Sequence, residues 1–181
     1  ASSEGDEPPT MDAPDETGRG AWMRDSTGWW WRRVDGSYPA SQWVRIGGSR
    51  YYFYDSGYMA TGWFRDGADW FFLAPSGALV GGWLKDGGSW FYLSSSGVMR
   101  TGWVKDGGAW YYLSPSGSMV TGWQLLGGTW YHLGTNGAMT TGWYQEGPTW
   151  FYLRGNGSMA TGWELIGWSW YHFAPSGAWI G

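Results

Sequence analysis

The chain contains no cysteine, so neither a disulfide nor a thiolate metal site can brace it. Only 14% of its 181 residues are charged, and lysine and arginine form no cluster or stripe. Nucleic-acid binding, which depends on grouped phosphate contacts, is therefore disfavoured. No apolar run approaches the roughly 18 residues of a membrane-spanning helix, and no window of about 11 residues carries the spacing of an amphipathic helix. Histidine occurs only at His132 and His172, 40 residues apart. With no carboxylate at metal-ligand spacing, both read as aromatic-ring substitutes rather than metal ligands. No Ser-His-Asp arrangement, phosphate loop or paired-carboxylate signature stands out. The chain is expected to be no enzyme and to use no cofactor or metal.

Tryptophan is abundant instead, and it is periodic. Trp43, Trp63, Trp83, Trp103, Trp123, Trp143 and Trp163 stand 20 residues apart. A second series, Trp70, Trp90, Trp110, Trp130, Trp150 and Trp170, follows each of the later ones at a distance of seven. Trp22 and Trp29 open the array with the same gap. Such a strict period means one small unit copied many times, stacked as a solenoid. Because copies rarely serve catalysis, repetition itself argues for a row of binding sites or a structural rod.

Each unit predicts a hairpin. Counting from the first Trp as zero, position 4 is glycine in every unit from Gly47 to Gly167, and position 5 is usually glycine. Two-residue hairpin turns need positive φ, which glycine adopts without steric cost. Positions 0–3 and 6–10 then form short strands, with position 0 opposite 9 and position 2 opposite 7. Both tryptophans share one face, and the ring at position 8 points to the other. A second turn is marked by a glycine at position 14 (Gly57, Gly77, Gly97 and onward) behind Ser-, Asn- and Pro-rich lead-ins. Asp66, Asp86 and Asp106, just before the hairpin turns, read as solvated turn residues. An isolated two-stranded hairpin is marginal in water, so each unit must stack on its neighbours.

Residues 1–20 carry six acids against Arg19 and have no aromatic ring. They read as a flexible acidic, proline-rich tail or linker, because they cannot offset their ordering entropy by burial. The repeat module is expected to occupy residues 21–181. The chain starts at Ala and has no secretion signal of its own, as expected for an excised or mature piece of a larger protein.

Several aromatic faces around an apolar hollow attract a quaternary ammonium ion through the ring quadrupoles, at roughly 1–2 kcal/mol per desolvated contact. The bland account is equally physical: aromatics dominate small cores, and the rings at positions 8 and 10 are expected to lie largely in the spine.

The pattern Thr-Gly-Trp, then Gly-Gly, then Trp-[Tyr/Phe]-[Tyr/Phe]-Leu, then Gly-x-Met, as in Thr101-Gly102-Trp103 through Trp110-Tyr111-Tyr112-Leu113 to Met119, resembles the choline-binding repeats of Gram-positive bacteria and their phages. The resemblance spans residues 22–181 in about eight units. It implies an all-β repeat solenoid of β-hairpins, a left-handed superhelix with about three repeats per turn. It also implies a secreted, non-catalytic module of the cell wall or cell surface that holds choline-substituted teichoic or lipoteichoic acid, without membrane insertion and with ligand-induced dimerisation possible. The cages implied lie between consecutive units and combine position-7 Trp and position-16 Met of one with position-0 Trp and position-8 ring of the next. They are Trp90, Met99, Trp103 and Tyr111; Trp110, Met119, Trp123 and Tyr131; Trp130, Met139, Trp143 and Phe151; and Trp150, Met159, Trp163 and Tyr171. Trp70, Leu79, Trp83 and Phe91 form a weaker set that lacks the Met. The junction with Arg50, Trp63 and Phe71 is expected to bind no choline, because a guanidinium stands where Trp belongs. The junction of Trp29, Trp43 and Tyr51, with Tyr38 in the Met place, stays undecided. Related repeats also bind glucans, and sugar rings stack on Trp, so a glucan or surface-glycan module and an interaction rod stay open as alternatives.

Overall fold

The structure is a computed structural model that describes residues 10–181. The first nine residues of the acidic tail lie outside the described residues. The chain divides into two compact units, residues 1–100 and 101–181, each made of four antiparallel hairpins. In the first, β1 (Gly20–Arg24) pairs with β2 (Trp29–Arg33), β3 (Gln42–Ile46) with β4 (Ser49–Phe53), β5 (Gly62–Asp66) with β6 (Asp69–Leu73) and β7 (Gly82–Asp86) with β8 (Ser89–Leu93). In the second, β9 (Gly102–Asp106) pairs with β10 (Ala109–Leu113), β11 (Gly122–Leu126) with β12 (Thr129–Leu133), β13 (Gly142–Glu146) with β14 (Thr149–Leu153) and β15 (Gly162–Ile166) with β16 (Ser169–Phe173). The described chain is an all-β array of repeated hairpins.

The register follows from the turn. Gly107 and Gly108 adopt φ of 56° and 81°, the double positive sign of a type I′ turn. Across it Trp103 faces Tyr112 and Lys105 faces Trp110. Alternation then puts Trp103, Lys105, Trp110 and Tyr112 on one face, with Val104 and Tyr111 on the other. Where position 5 is Ala68 or Pro148, only the first turn residue (Gly67, Gly147) has positive φ, the pattern of type II′.

After the second strand the chain reverses through a tight turn and lies back on the hairpin: Leu113 bridges Met119, and Leu153 bridges Met159. This folds position 10 under the return segment. Phe53, Leu73, Leu93, Leu113, Leu133, Leu153 and Phe173 are accordingly buried and form the spine. Within each unit neighbouring hairpins are also tied by backbone. The N–H of Met59 donates to the carbonyl of Trp29 (2.8 Å), Met99 to Trp70 (2.8 Å), Met139 to Trp110 (2.7 Å) and Met159 to Trp130 (2.9 Å).

The tail departs from the sequence expectation from residue 10 onward. Arg45 N–H donates to the Pro14 carbonyl and Glu16 N–H to the Arg45 carbonyl, both at 2.8 Å, so residues 14–16 pair with the outer edge of β3. Thr17 Oγ1 accepts from Gly47 N–H (2.8 Å), and buried Thr10 donates its hydroxyl proton to the Ser96 carbonyl (2.8 Å). Glu16 accepts two N–H groups of Arg33. The acids that argued for a loose tail are partly consumed in holding it down.

Candidate functional site

Two hollows share one construction. In unit 2, Trp103, Trp110, Tyr131 and Met139, with Gly155 and Asn156 at the lip, enclose about 320 Å³. In unit 1, Trp22, Trp29, Tyr51 and Met59, with Pro75 and Ser76 at the lip, enclose about 330 Å³. Each draws on three successive hairpins. The first gives both tryptophans from one face. The second gives the ring at position 8 and the Met at position 16, and the third gives its turn.

Ring geometry repeats the plan. Trp22 meets Tyr51 at 4.9 Å between centroids, Trp63 meets Phe91 at 4.9 Å, Trp103 meets Tyr131 at 5.0 Å, Trp123 meets Phe151 at 4.9 Å and Trp143 meets Tyr171 at 5.0 Å. Interplanar angles of 60–72° make these edge-on contacts, the arrangement that ring quadrupoles favour. One Trp thus becomes a fixed wall, while the other stays open. Trp29, Trp70, Trp90, Trp110, Trp130 and Trp150 are all 37–41% exposed. A residue serving only as core would be buried; this one returns six times with the same half-open face.

The grouping expected from sequence is corrected. Trp103 and Tyr111 lie on opposite faces of β9–β10 and cannot wall one hollow, and the same holds for Trp83 with Phe91, Trp123 with Tyr131, Trp143 with Phe151 and Trp163 with Tyr171. Position-0 and position-7 tryptophans of one hairpin instead face the position-8 ring and position-16 residue of the next. The sets are therefore Trp63, Trp70, Phe91 and Met99; Trp103, Trp110, Tyr131 and Met139; and Trp123, Trp130, Phe151 and Met159. In Trp143, Trp150, Tyr171 and Trp179, the last residue replaces Met and lies 5.9 Å from Trp143. Trp83 and Trp90 share a face of β7–β8 in unit 1, while Tyr111 and Met119 belong to unit 2. Trp163 and Trp170, on the last hairpin, are each 63% exposed.

Both sequence departures fall in one set. Leu79 N–H donates to the Arg50 carbonyl (2.8 Å), and Trp43 packs on Phe71 at 5.0 Å, so Arg50, Leu79, Trp43 and Phe71 belong together; Trp63 does not join them. The undecided first junction resolves into the complete set Trp22, Trp29, Tyr51 and Met59. Tyr38 lies elsewhere, 6.2 Å from Trp30. Trp22, Met59, Trp63 and Trp179 were missed as members of these sets. Their periodic positions were visible; the face they look onto was not.

Two carboxylates assigned to solvent have a role. Asp66 accepts the indole N–H of Trp43 at 2.9 Å, and Asp86 that of Trp63 at 3.0 Å. Glu146 serves Trp123 in the same way at 3.2 Å. Each acid sits three positions into the next hairpin and pins the preceding Trp. His132 and His172 do act as rings, packed on Trp123 and Trp163. Among the described residues, no group of His, Asp and Glu is placed to hold a metal, and no helix is long and apolar enough to cross a membrane.

Residues 40–81, 80–121 and 120–161 match the model of the choline-binding repeat, and residues 161–178 match the model of a putative cell wall binding repeat. Among solved structures, CbpJ from Streptococcus pneumoniae is 41% identical with a TM-score of 0.81, covering 84% of this chain and 56% of its own. Choline binding protein F from S. pneumoniae is 41% identical with a TM-score of 0.77, covering 84% and 55%. The pneumococcal cell wall endolysin from phage Cp-1, solved with choline, is 42% identical with a TM-score of 0.51, covering 67% and 37%. The chain thus spans about half the length of the first two and less of the third. Its periodic tryptophans, its hairpins and its hollows have one source: the chain belongs to the choline-binding repeat family.

Proposed function

We propose that this chain is a non-catalytic wall-anchoring module, which holds the choline groups of teichoic or lipoteichoic acid at the surface of a bacterium. The observation that carries this is the repeated hollow of two Trp, one Tyr or Phe and one Met, with the second Trp always half open. Its walls are ring faces and a thioether. A trimethylammonium group needs nothing more: its charge is drawn to the ring quadrupoles and its methyl groups gain from burial. A hollow near 320 Å³ is at the small end for ligand pockets, which suits a small headgroup rather than an oligosaccharide. One such site is weak, about millimolar to high micromolar. A row of them facing a polymer with many choline groups binds tightly through effective concentration. This gives the repeat count a function, and explains why no single site needs to be strong.

The test is a titration with choline chloride, following Trp fluorescence and heat, with tetramethylammonium chloride, sodium chloride and a maltooligosaccharide alongside. Saturable binding at several sites, shared by tetramethylammonium and absent with salt, is the expected outcome. A response to the glucan alone, or none to choline at tens of millimolar, would overturn the proposal.

A further inference from the structure

A third hollow, about 330 Å³, opens beside the first hairpin between Asp25, Trp30, Tyr38, Ser56 and Tyr58. By position in the repeat, Trp30 and Tyr38 correspond to Tyr51 and Met59, the half of a cage that a following hairpin contributes. Asp25 corresponds to Asp66 and Asp86, which accept an indole N–H from the hairpin before. No hairpin precedes β1–β2 among the described residues, and Asp25 is engaged differently. Its Oδ2 accepts the Tyr58 hydroxyl proton at 2.8 Å, and its Oδ1 accepts the N–H groups of Thr27 (2.8 Å) and Gly28 (3.2 Å). Trp30 and Tyr58 are bridged through the backbone, which keeps that hydroxyl on the carboxylate. Tyr38 is fixed from the other side: a β-carbon on Gly57 would overlap its ring. The neighbouring cation, Arg24, rests over Trp29 at 5.6 Å and does not line the hollow.

The result is a different chemistry from the choline-type hollows. There the walls are rings and a thioether, and no carboxylate lines them. Here two rings stand beside a carboxylate acceptor, its pKa lowered by the Tyr58 hydroxyl first and the turn N–H groups after it. A cation that carries N–H donors uses both features, through ring attraction and a charge-assisted hydrogen bond. A quaternary ammonium has no N–H and leaves the carboxylate unused.

We propose that the Asp25–Trp30–Tyr38 hollow is a separate site for a primary alkylammonium group. The rows of cages and this site would then let one module read two kinds of amine on a surface.

The indole N–H resonances of the ¹⁵N-labelled chain test this, with Trp30 identified through Trp30→Phe. Ethylammonium chloride is expected to shift Trp30 saturably, while tetramethylammonium chloride shifts Trp103 and Trp110 and leaves Trp30 in place. Asp25→Asn keeps the turn acceptor but not the charge and should weaken the ethylammonium response by about tenfold or more. Exposed Tyr38→Ala removes one wall and should weaken it as well, with the other indole resonances unmoved. The proposal is overturned if Trp30 responds equally to both cations, if Asp25→Asn leaves the response intact, or if Trp30 stays silent. Because Trp103 and Trp110 are read in the same spectra, failure of this site is distinct from failure of the choline cages.

Discussion

Arg50 is the one place among the complete hairpins where the half-open Trp is replaced by a cation. Its neighbours are otherwise ready: Trp43 is pinned by Asp66 and packed on Phe71, and Leu79 supplies an apolar floor. The guanidinium Nε is shielded from solvent without a hydrogen-bond partner, and Arg45 stands directly across the strand. Arg50→Trp supplies the missing ring and removes a like-charge cross-strand pair, so choline stoichiometry should rise by one site per chain with stability unchanged or higher. Arg50→Gln, which removes charge but adds no ring, should leave the count alone; equilibrium dialysis reads both. The same scale shows where the sequence stopped being informative. The period names which residues recur, and the turn register then places positions 0 and 7 on one face and position 8 on the other. That register already separates Trp103 from Tyr111 within their own hairpin, against the grouping the resemblance implies; what it does not say is which neighbour's ring, here Tyr131, meets the Trp face. A double-mutant cycle settles the matter in solution: for choline binding, Trp103→Ala and Tyr131→Ala should couple by about 0.5–1.5 kcal/mol, and Trp103→Ala with Tyr111→Ala should be close to additive.

Each hairpin was legible almost to the residue, because glycine at positions 4 and 14 answers to backbone sterics that hold in any context. The two glycines nevertheless differ in what surrounds them. Gly107 has φ of 56° and open space where a β-carbon would stand, while Gly157 has φ of 85° and Met139 Sδ in that place. Alanine at either position should destabilise the chain by about 1–2 kcal/mol, the cost of a left-handed conformation for an L residue. Only Gly157→Ala should also push Met139 toward the hollow of Trp103, Trp110 and Tyr131. Denaturation should thus show a comparable strain cost at both positions, while calorimetry shows a lost choline site for Gly157→Ala alone. Equal effects on binding would mean that Met139 is spectator rather than floor. The element scale also explains why Asp66 and Asp86 were misjudged. Within their own hairpin they look like turn residues in water, and their partners lie 23 residues back.

Across the whole molecule, composition was a good guide to what the chain is and a poor one to its tail. Six acids in 20 residues argue for disorder only while their partners are unknown. Arg33 and Arg45, 17 and 30 residues from Glu16 and Asp15, turn two of those acids into fasteners. One buried imidazole and several hydrogen-bonded carboxylates with lowered pKa make the fold acid-sensitive in a defined order. His132 stacks on Tyr144 at 4.0 Å and shares a 2.8 Å hydrogen bond with Thr140. Burial pulls its pKa below the ordinary 6.5, against the opposing pull of Glu146. The unfolded chain then takes up this proton more readily than the folded one, so stability is full above about pH 6.5 and declines as pH falls from there through the lower folded value. Glu164, held below its ordinary 4.5 by the hydrogen bond and charge of Arg154, adds a second loss at more acid pH with the same sign, as do Asp15 and Asp35, lowered by Thr17 and Ser37. His132→Tyr separates the two phases. Tyrosine is the residue at this position in Tyr52, which stacks on Phe64 at 4.1 Å as His132 does on Tyr144, so the replacement fits its surroundings. Urea midpoints from pH 8 to pH 3 should show the variant level through the first decline and falling only in the second. If the variant tracks the parent through the first decline, the imidazole is not its source, and the loss begins with the carboxylates.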